Sequence, residues 1–519
     1  MKICRLFLLA FSPLLAQAEI KFAPIFTDNM VLQRDAKIPV WGTAAAGEQV
    51  NITLANQKQH TTADAQGHWQ VAFAPLAADG KSLTLAVEGS SLALKNILAG
   101  DVWLCSGQSN MLFPLDHCST AKEEIPKADH PAIRIINYNY VAYPKDSEYA
   151  QNKIWESILL SKQVPSLADE LAKHQTWAPL SPDNAGFCSG VAYYFARDLY
   201  AAQKVPIGII LCAVGAQTVQ TFISPDAYKN DPALASLVPQ LAKQNESRVK
   251  QFEEARAKWK ADLEKAGTQD KVKPGDAPAP ARLNEMSWIY NDIVSGIVPF
   301  AIKGMLWYQG ESNNAPEYRV LFPALIRDWR KQWGQGDIPF LFVQLPNIGK
   351  PAVDAKECIA PSRADMRDVQ SLALAEPATA MAVVIDQPND MDLHPRNKEP
   401  VGHRLSLLAR NRVYGEKIVA DGPIFDSAAA DGGKVKLKFK QLGGGLALSS
   451  GDQPLGFAIA GADKNFAWAS AAIDGDSIVL SCDSVPAPKF IRYAWVNNPP
   501  GNIGNREGLP LAPFQTELK

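Results

Sequence analysis

The apolar run Val102-Trp-Leu-Cys105 breaks abruptly into Ser106-Gly-Gln-Ser-Asn110, and this change of character constrains the chain more than any other stretch. It predicts a buried strand that ends in a tight turn. In an open α/β sheet such turns lie at the carboxyl ends of the strands, where ligands bind. A serine held there can point its hydroxyl away from the sheet while a neighbouring backbone N–H faces a developing oxyanion. Ser109 is therefore the nucleophile candidate.

The same logic extends along the chain. From Ile97 to about Tyr414 strand-like and helix-like stretches alternate, which predicts βα units and a mainly parallel sheet. Strands are expected at Val102–Cys105, Ile133–Asn137, Ile207–Val214, Ile302–Tyr308, Phe340–Leu345 and Ala380–Ile385, with helices at Gly190–Gln203, Glu317–Gln332, Ala364–Ala375 and Pro400–Tyr414. Before that region, Ile38–Gly42, Glu48–Leu54, His68–Phe73 and Ser82–Val87 read as short strands of a β-sandwich-like module. After it, Lys434–Phe439, Gly443–Leu448, Ser477–Ser481 and Ile491–Val496 predict a second β module, and the proline-rich tail from Trp495 is expected to lie back across the body. Between them Leu237–Lys265 is a charged, Ala-rich helical stretch, followed by a loose segment at Thr268–Pro280. It reads as a solvated insertion, with gating of the site or a dimer contact as the alternative.

Met1 to Ala18 carries Lys2 and Arg5, an apolar run from Leu6 to Leu15 and a closing Ala16-Gln-Ala18, the pattern of a secretory signal peptide. The expected organisation is a leader at 1–18, a β module at 19–98, a hydrolase unit at 99–418 with an insertion at about 226–283, and a β module at 419–519. A secreted or periplasmic protein is expected. Six of the seven cysteines follow the leader, without metal-site spacing. No metal ligand set is expected, and a disulfide joining Cys105 or Cys118 to Cys188 is possible, with Cys212 a buried thiol. The 52 basic and 54 acidic residues nearly cancel, so nucleic acid and anionic membrane surfaces are not the expected partners.

Two further stretches bear on Ser109. Lys303-Gly-Met-Leu-Trp-Tyr-Gln-Gly-Glu-Ser-Asn313 is again an apolar strand running into a polar turn, and Asp392-Leu-His394-Pro places a carboxylate two residues before one of seven histidines. In this order the blocks Gly107-Gln-Ser-Asn-Met111, Trp307-Tyr-Gln-Gly-Glu-Ser-Asn313, Asp392-Leu-His-Pro395, Asn397-Lys398 and Gly402-His-Arg-Leu405 resemble the sialate O-acetylesterase family of the SGNH hydrolases. The resemblance implies an SGNH-type, flavodoxin-like three-layer α/β/α domain and removal of acetyl groups from a glycan by a serine esterase without metal or organic cofactor.

A serine hydroxyl needs a base within hydrogen-bond reach and donors aimed at the oxygen that gains charge. His394 is the base candidate. Asp392 is the favoured orienting acid, since residues two apart in an extended segment can point to one side, and Asp390 competes with it. The oxyanion donors expected are the Ser109 backbone N–H and, by the resemblance, Gly215 and the Gln309 amide, with Asn313 as the alternative to Gln309. Here Gly215-Ala-Gln217 stands where the family carries Gly-Gly-Thr, and Ala216 adopts positive φ less readily than glycine. Gln108 and Asn110 are expected to fix the turn or meet sugar hydroxyls. Glu311 is expected to brace its own turn through backbone N–H bonds, and Phe222 to wall the acetyl methyl.

The expected substrate is acetylated plant hemicellulose of xylan or xyloglucan type, or a 9-O-acetylated sialic acid. Arg363 and Arg367 either meet an acidic sugar or form a solvated helix face. The rival readings are a non-catalytic glycan-binding protein on an esterase scaffold and a general short-chain carboxylesterase, which usually carries a G-x-S-x-G elbow.

Overall fold

A computed structural model describes residues 19–138, 176–266, 285–359, 363–387 and 392–518. The expected leader, the loose segment at Thr268–Pro280 and Asp390 lie outside the described residues.

The central sheet is built from β1 (Ala93–Gly107), β2 (His130–Asn137), β3 (Ala178–Leu180), β4 (Ile207–Ala213), β5 (Gly304–Tyr308), β6 (Phe340–Val343) and β7 (Thr379–Ala382). Across the sheet they run β3-β2-β4-β1-β5-β6-β7, all parallel except the edge pair β2 and β3. The flavodoxin-like order, in which the second strand adjoins the first, is not the order found. Here β4 separates β1 from β2. Every residue of β4 is buried, whereas β2 begins half-exposed; the uniformly apolar run takes the position covered on both faces and the mixed one goes toward the edge.

Alternate residues of each strand part to opposite faces. Val102 and Leu104 join one apolar cluster with α4 (Ala315–Trp333) and α5 (Arg363–Ser371), while Trp103 and Cys105 join another with α2 (Gly190–Gln203) and α6 (Glu399–Arg412). Local caps agree with these helices. The Ser189 hydroxyl accepts from the Ala192 N–H at the start of α2, and α4 opens on an Asn314 cap and closes on Gly334 at φ 65°.

The first module holds the four expected strands and three further ones, Lys21–Phe22, Val31–Gln33 and Gln57–Thr62. It joins the central sheet without a break. The strand β1 is 15 residues long and runs through the expected boundary at 98–99, its first half pairing with Val31–Gln33 and Leu83–Val87. The second β module forms its own apolar core around Val435, Leu437, Phe457, Ile478 and Ile491.

The insertion contains α3 (Pro232–Ala266). Its first turns are docked: Leu234 and Leu241 are buried, and Gln240 and Gln244 both donate to Glu317 Oε1 at 2.7 Å. No described helix is long and apolar enough to cross a membrane.

Two expectations are corrected here. All six described cysteines are free; Cys118 and Cys188 turn their Sγ atoms to the carbonyls of Pro114 and Ser189 rather than to each other. Arg367 is neither solvated nor turned to a sugar. It is 0% exposed, and its guanidinium donates to the carbonyls of Leu345, Pro346, Val496 and Asn497. Those bonds tie the end of β6 to the tail, so the tail does lie back against the central unit.

Candidate active site

The nucleophile turn is forced by the close approach of two strands. Gly107 ends β1 at φ 133°, and a Cβ there would stand 2.2 Å from the Tyr308 carbonyl oxygen on β5. No side chain fits. The Gln108 N–H then donates to that same carbonyl at 3.0 Å, and the chain turns into α1 (Ser109–Leu112) as the N–H groups of Met111 and Leu112 close onto the Gln108 carbonyl. Ser109 is the first residue of this turn, where backbone N–H groups have no acceptor within the helix.

His394 reaches Ser109 from the far end of the central unit. Its Nε2 lies 2.7 Å from Ser109 Oγ, across 285 positions of sequence. The ring is half-buried and stacks on Phe113 with centroids 6.0 Å apart. Asp392 does not fold onto the ring as expected. Its Oδ1 accepts the His394 backbone N–H at 2.8 Å, and its Oδ2 lies 3.8 Å from Arg396 Nε. The carboxylate therefore sets the loop that carries the ring, and among the described residues no hydrogen bond reaches His394 Nδ1.

Behind the serine lies a buried polar chain. Asn110 donates from Nδ2 to Glu311 Oε1 at 2.6 Å and to the Leu393 carbonyl at 3.1 Å, while its Oδ1 accepts from Lys398 Nζ at 2.5 Å. Glu311 thus receives a side-chain amide rather than the backbone N–H groups expected, and its Oε2 is buried without a partner among the described residues. Lys398 is fully buried, and burial lowers its pKa to about 8. Burial also pushes the His394 pKa below its ordinary value; Lys398 and Arg363 lower it further, against Glu311 and Asp392.

The remaining expected residues separate into those at the turn and those beneath it. The Val214 N–H donates to the Gly107 carbonyl at 3.0 Å, which brings Gly215 beside the nucleophile turn. Ala216 holds φ 61°, so the position where the resemblance implies a glycine has a left-handed backbone with an alanine in it. Gln108 is buried, and among the described residues its Oε1 has no hydrogen-bond partner.

Gln309 is fully buried, and its Nε2 donates to the Gln217 carbonyl at 3.1 Å and to Asn313 Oδ1 at 2.8 Å. Both amide hydrogens are engaged, which leaves none for an oxyanion in this arrangement. Asn313 is only partly committed: its Oδ1 accepts the Val219 N–H and its Nδ2 donates one bond, to Gln220 Oε1 at 3.1 Å, so among the described residues one amide hydrogen is left over. These two side chains lock the donor loop to the β5 turn. Phe222 is not at the cleft: it is 0% exposed and packs edge-on against Trp307 and Trp329.

Lys398 and Phe113 were not read as site residues from the sequence, and Arg363 was read only as a possible contact for an acidic sugar. A lysine among polar residues at the start of a helix carries no local mark of burial, and only the fold brings it beneath Asn110.

Residues 280–394 match the family described as carbohydrate esterase, sialic acid-specific acetylesterase. The chain is 26% identical to the sialate O-acetylesterase of Homo sapiens, over 92% of this chain and 88% of that protein. It is 27% identical to the one from Mus musculus, over 92% and 90%. A solved structure of a carbohydrate acetylesterase from Xanthomonas citri aligns with a TM-score of 0.74 at 32% identity, covering 96% of this chain and all of that one.

Proposed function

The chain belongs to the sialate O-acetylesterase family of carbohydrate esterases and is an ester hydrolase, and from that premise we propose that it removes O-acetyl groups from a glycan through an acetyl-serine intermediate. Ser109 Oγ attacks the acetyl carbonyl as His394 Nε2 takes its proton, and the imidazolium then returns that proton to the departing sugar oxygen. Water, deprotonated by the same ring, releases acetate. Asp392 orients the ring by fixing the loop backbone, and its charge favours the imidazolium. The N–H groups of Ser109 and Gly215 face the oxyanion, while Gln309 and Asn313 hold that donor loop in shape. Glu311 stands on the polar side where sugar hydroxyls arrive, and the buried Gln108 and Asn110 fix the turn behind the serine. Neither metal nor organic cofactor enters this scheme.

The observation that carries the proposal is the 2.7 Å contact between Ser109 Oγ and His394 Nε2. Its test is substitution in the full chain. Ser109→Ala and His394→Ala should each cut acetate release from an aryl acetate by about 10⁴-fold or more while circular dichroism stays that of the wild type. An active variant of either kind refutes the assignment.

We further infer an SGNH-type layering of the central unit, with the β modules at 19–98 and 419–519 and export directed by residues 1–18. The substrate is an acetylated polysaccharide of hemicellulose type, or an O-acetylated sialic acid as the names of the relatives suggest. A panel of acetylated glycans assayed for free acetate separates the two. Comparing acetate with butyrate aryl esters separates both from a general carboxylesterase, because a pocket built for acetyl rejects the longer chain.

A further inference from the structure

Lys398 occupies a place that stability alone would not give a cation. It is 0% exposed, it caps the N-terminus of α6, where the helix dipole opposes positive charge, and among the described residues no carboxylate pairs with it. Burying an unpaired ammonium is costly. Room is made for it all the same. Gly190 opens α2 directly alongside, and a Cβ there would lie 3.2 Å from Lys398 Cβ and 2.6 Å from Cys118 Sγ. The aromatic faces of Phe113 and Tyr308 lie 4.8 and 5.6 Å from Nζ, adding weak attraction.

Among the described residues the single hydrogen bond from Nζ ends on Asn110 Oδ1, and it fixes which way that amide points. With its oxygen toward the cation, the Asn110 NH₂ must face Glu311 and the Leu393 carbonyl. A cation at the oxygen end and an anion at the nitrogen end align with the amide dipole. Asn110 follows the nucleophile and Leu393 precedes the base, so one side chain ties the two loops together.

Resting on the hydrolase reading above, we propose that Lys398 is a positioning residue of the reaction: it fixes the Asn110 amide that ties the Ser109 turn to the His394 loop, and its buried charge keeps the ring neutral and ready to accept the serine proton. The charged groups facing that ring are Lys398 from the start of α6, Arg363 from the start of α5, Glu311 from the turn after β5 and Asp392 from its own loop. Arg396 lies against Asp392, and Cys118 against Lys398.

The test compares Lys398→Met, of similar length without donor or charge, with Lys398→Gln, which keeps an N–H donor without the charge. Both are assayed for aryl acetate hydrolysis from acid to alkaline pH, with Ser109→Ala and His394→Ala as controls. Lys398→Met should lower kcat by about tenfold or more with KM within about twofold. It should also raise the acid-limb midpoint of kcat/KM by about half a pH unit or more. Lys398→Gln should raise the midpoint similarly and recover part of kcat.

An unmoved midpoint in both variants overturns the proposal, whether kcat is kept or merely falls. If Lys398→Met does not fold, Asn110→Ala carries the test. It should lose kcat with the midpoint in place, and full activity in it overturns the proposal. Activity in either control instead removes the hydrolase reading, which is a separate failure.

Discussion

Replacing Phe222 by alanine separates two roles for one aromatic ring. The side chain is 0% exposed, its centroid lies 5.1 Å from Trp307 and 6.5 Å from Trp329, and its backbone carbonyl accepts the Trp329 indole N–H at 2.9 Å. Removing a ring from so closed a setting loses its transfer free energy and leaves a cavity, together about 3–5 kcal/mol. The loss of an edge-to-face partner falls within that range. Domains of 150–250 residues lose about 2–4 °C in Tm per kcal/mol. The central unit is larger, so the lower end applies and the apparent Tm should drop by about 6–10 °C. The readout is tryptophan fluorescence at a fixed scan rate, with Trp307 and Trp329 as local reporters. Below the transition the variant should keep the wild-type preference for acetate over butyrate esters. A variant that melts within about 2 °C of the wild type while accepting butyrate would refute the reasoning and return Phe222 to the acyl pocket.

Ala216 holds a left-handed backbone at φ 61°, which costs a non-glycine residue about 1–2 kcal/mol. Glycine gives back about 0.4–1 kcal/mol through its freer unfolded chain, so Ala216→Gly should stabilise by between about 0 and about 1.6 kcal/mol. A higher urea midpoint at unchanged slope checks this, and a lower one contradicts it. In the wild type, burial and then Lys398 hold the His394 pKa down, so the acid limb of kcat/KM should have its midpoint below the ordinary histidine value of about 6.5. The folded ring resists protonation, so the stability it contributes is complete above about pH 6.5 and is lost as pH falls through the lower folded value. A midpoint at or above 6.5 would count against the buried, Lys398-facing ring.

Much of the fold was legible because its strands are short apolar runs ended by Gly or polar residues. Ile207–Val214 was expected and Ile207–Ala213 is found; Gly190–Gln203 agrees at both ends. Gln57–Thr62 was missed because Gln-Lys-Gln-His-Thr-Thr has no apolar period to reveal an exposed strand. The strand order was not legible, and the flavodoxin-like order does not describe it, because adjacency depends on the burial of both faces, and a run of apolar residues does not say which neighbour covers it.

Ser109 and His394 were legible as residue types in a suggestive order, and the fold brings them to hydrogen-bond distance. The roles of Gln309, Phe222 and Lys398 were not legible. Each depends on what lies across the sheet: a carbonyl that occupies an amide, a pair of indoles that encloses a ring, an asparagine that receives a cation.

The unbroken 15-residue run of β1 has a practical outcome for anyone seeking a minimal enzyme. Trimming the polypeptide at residue 98 would not detach an accessory lobe. It would amputate the backbone rungs that brace the segment leading straight to the reactive hydroxyl. Any graft replacing the first 98 residues would have to supply matching edges in register, or the catalytic bend would be left on a frayed end.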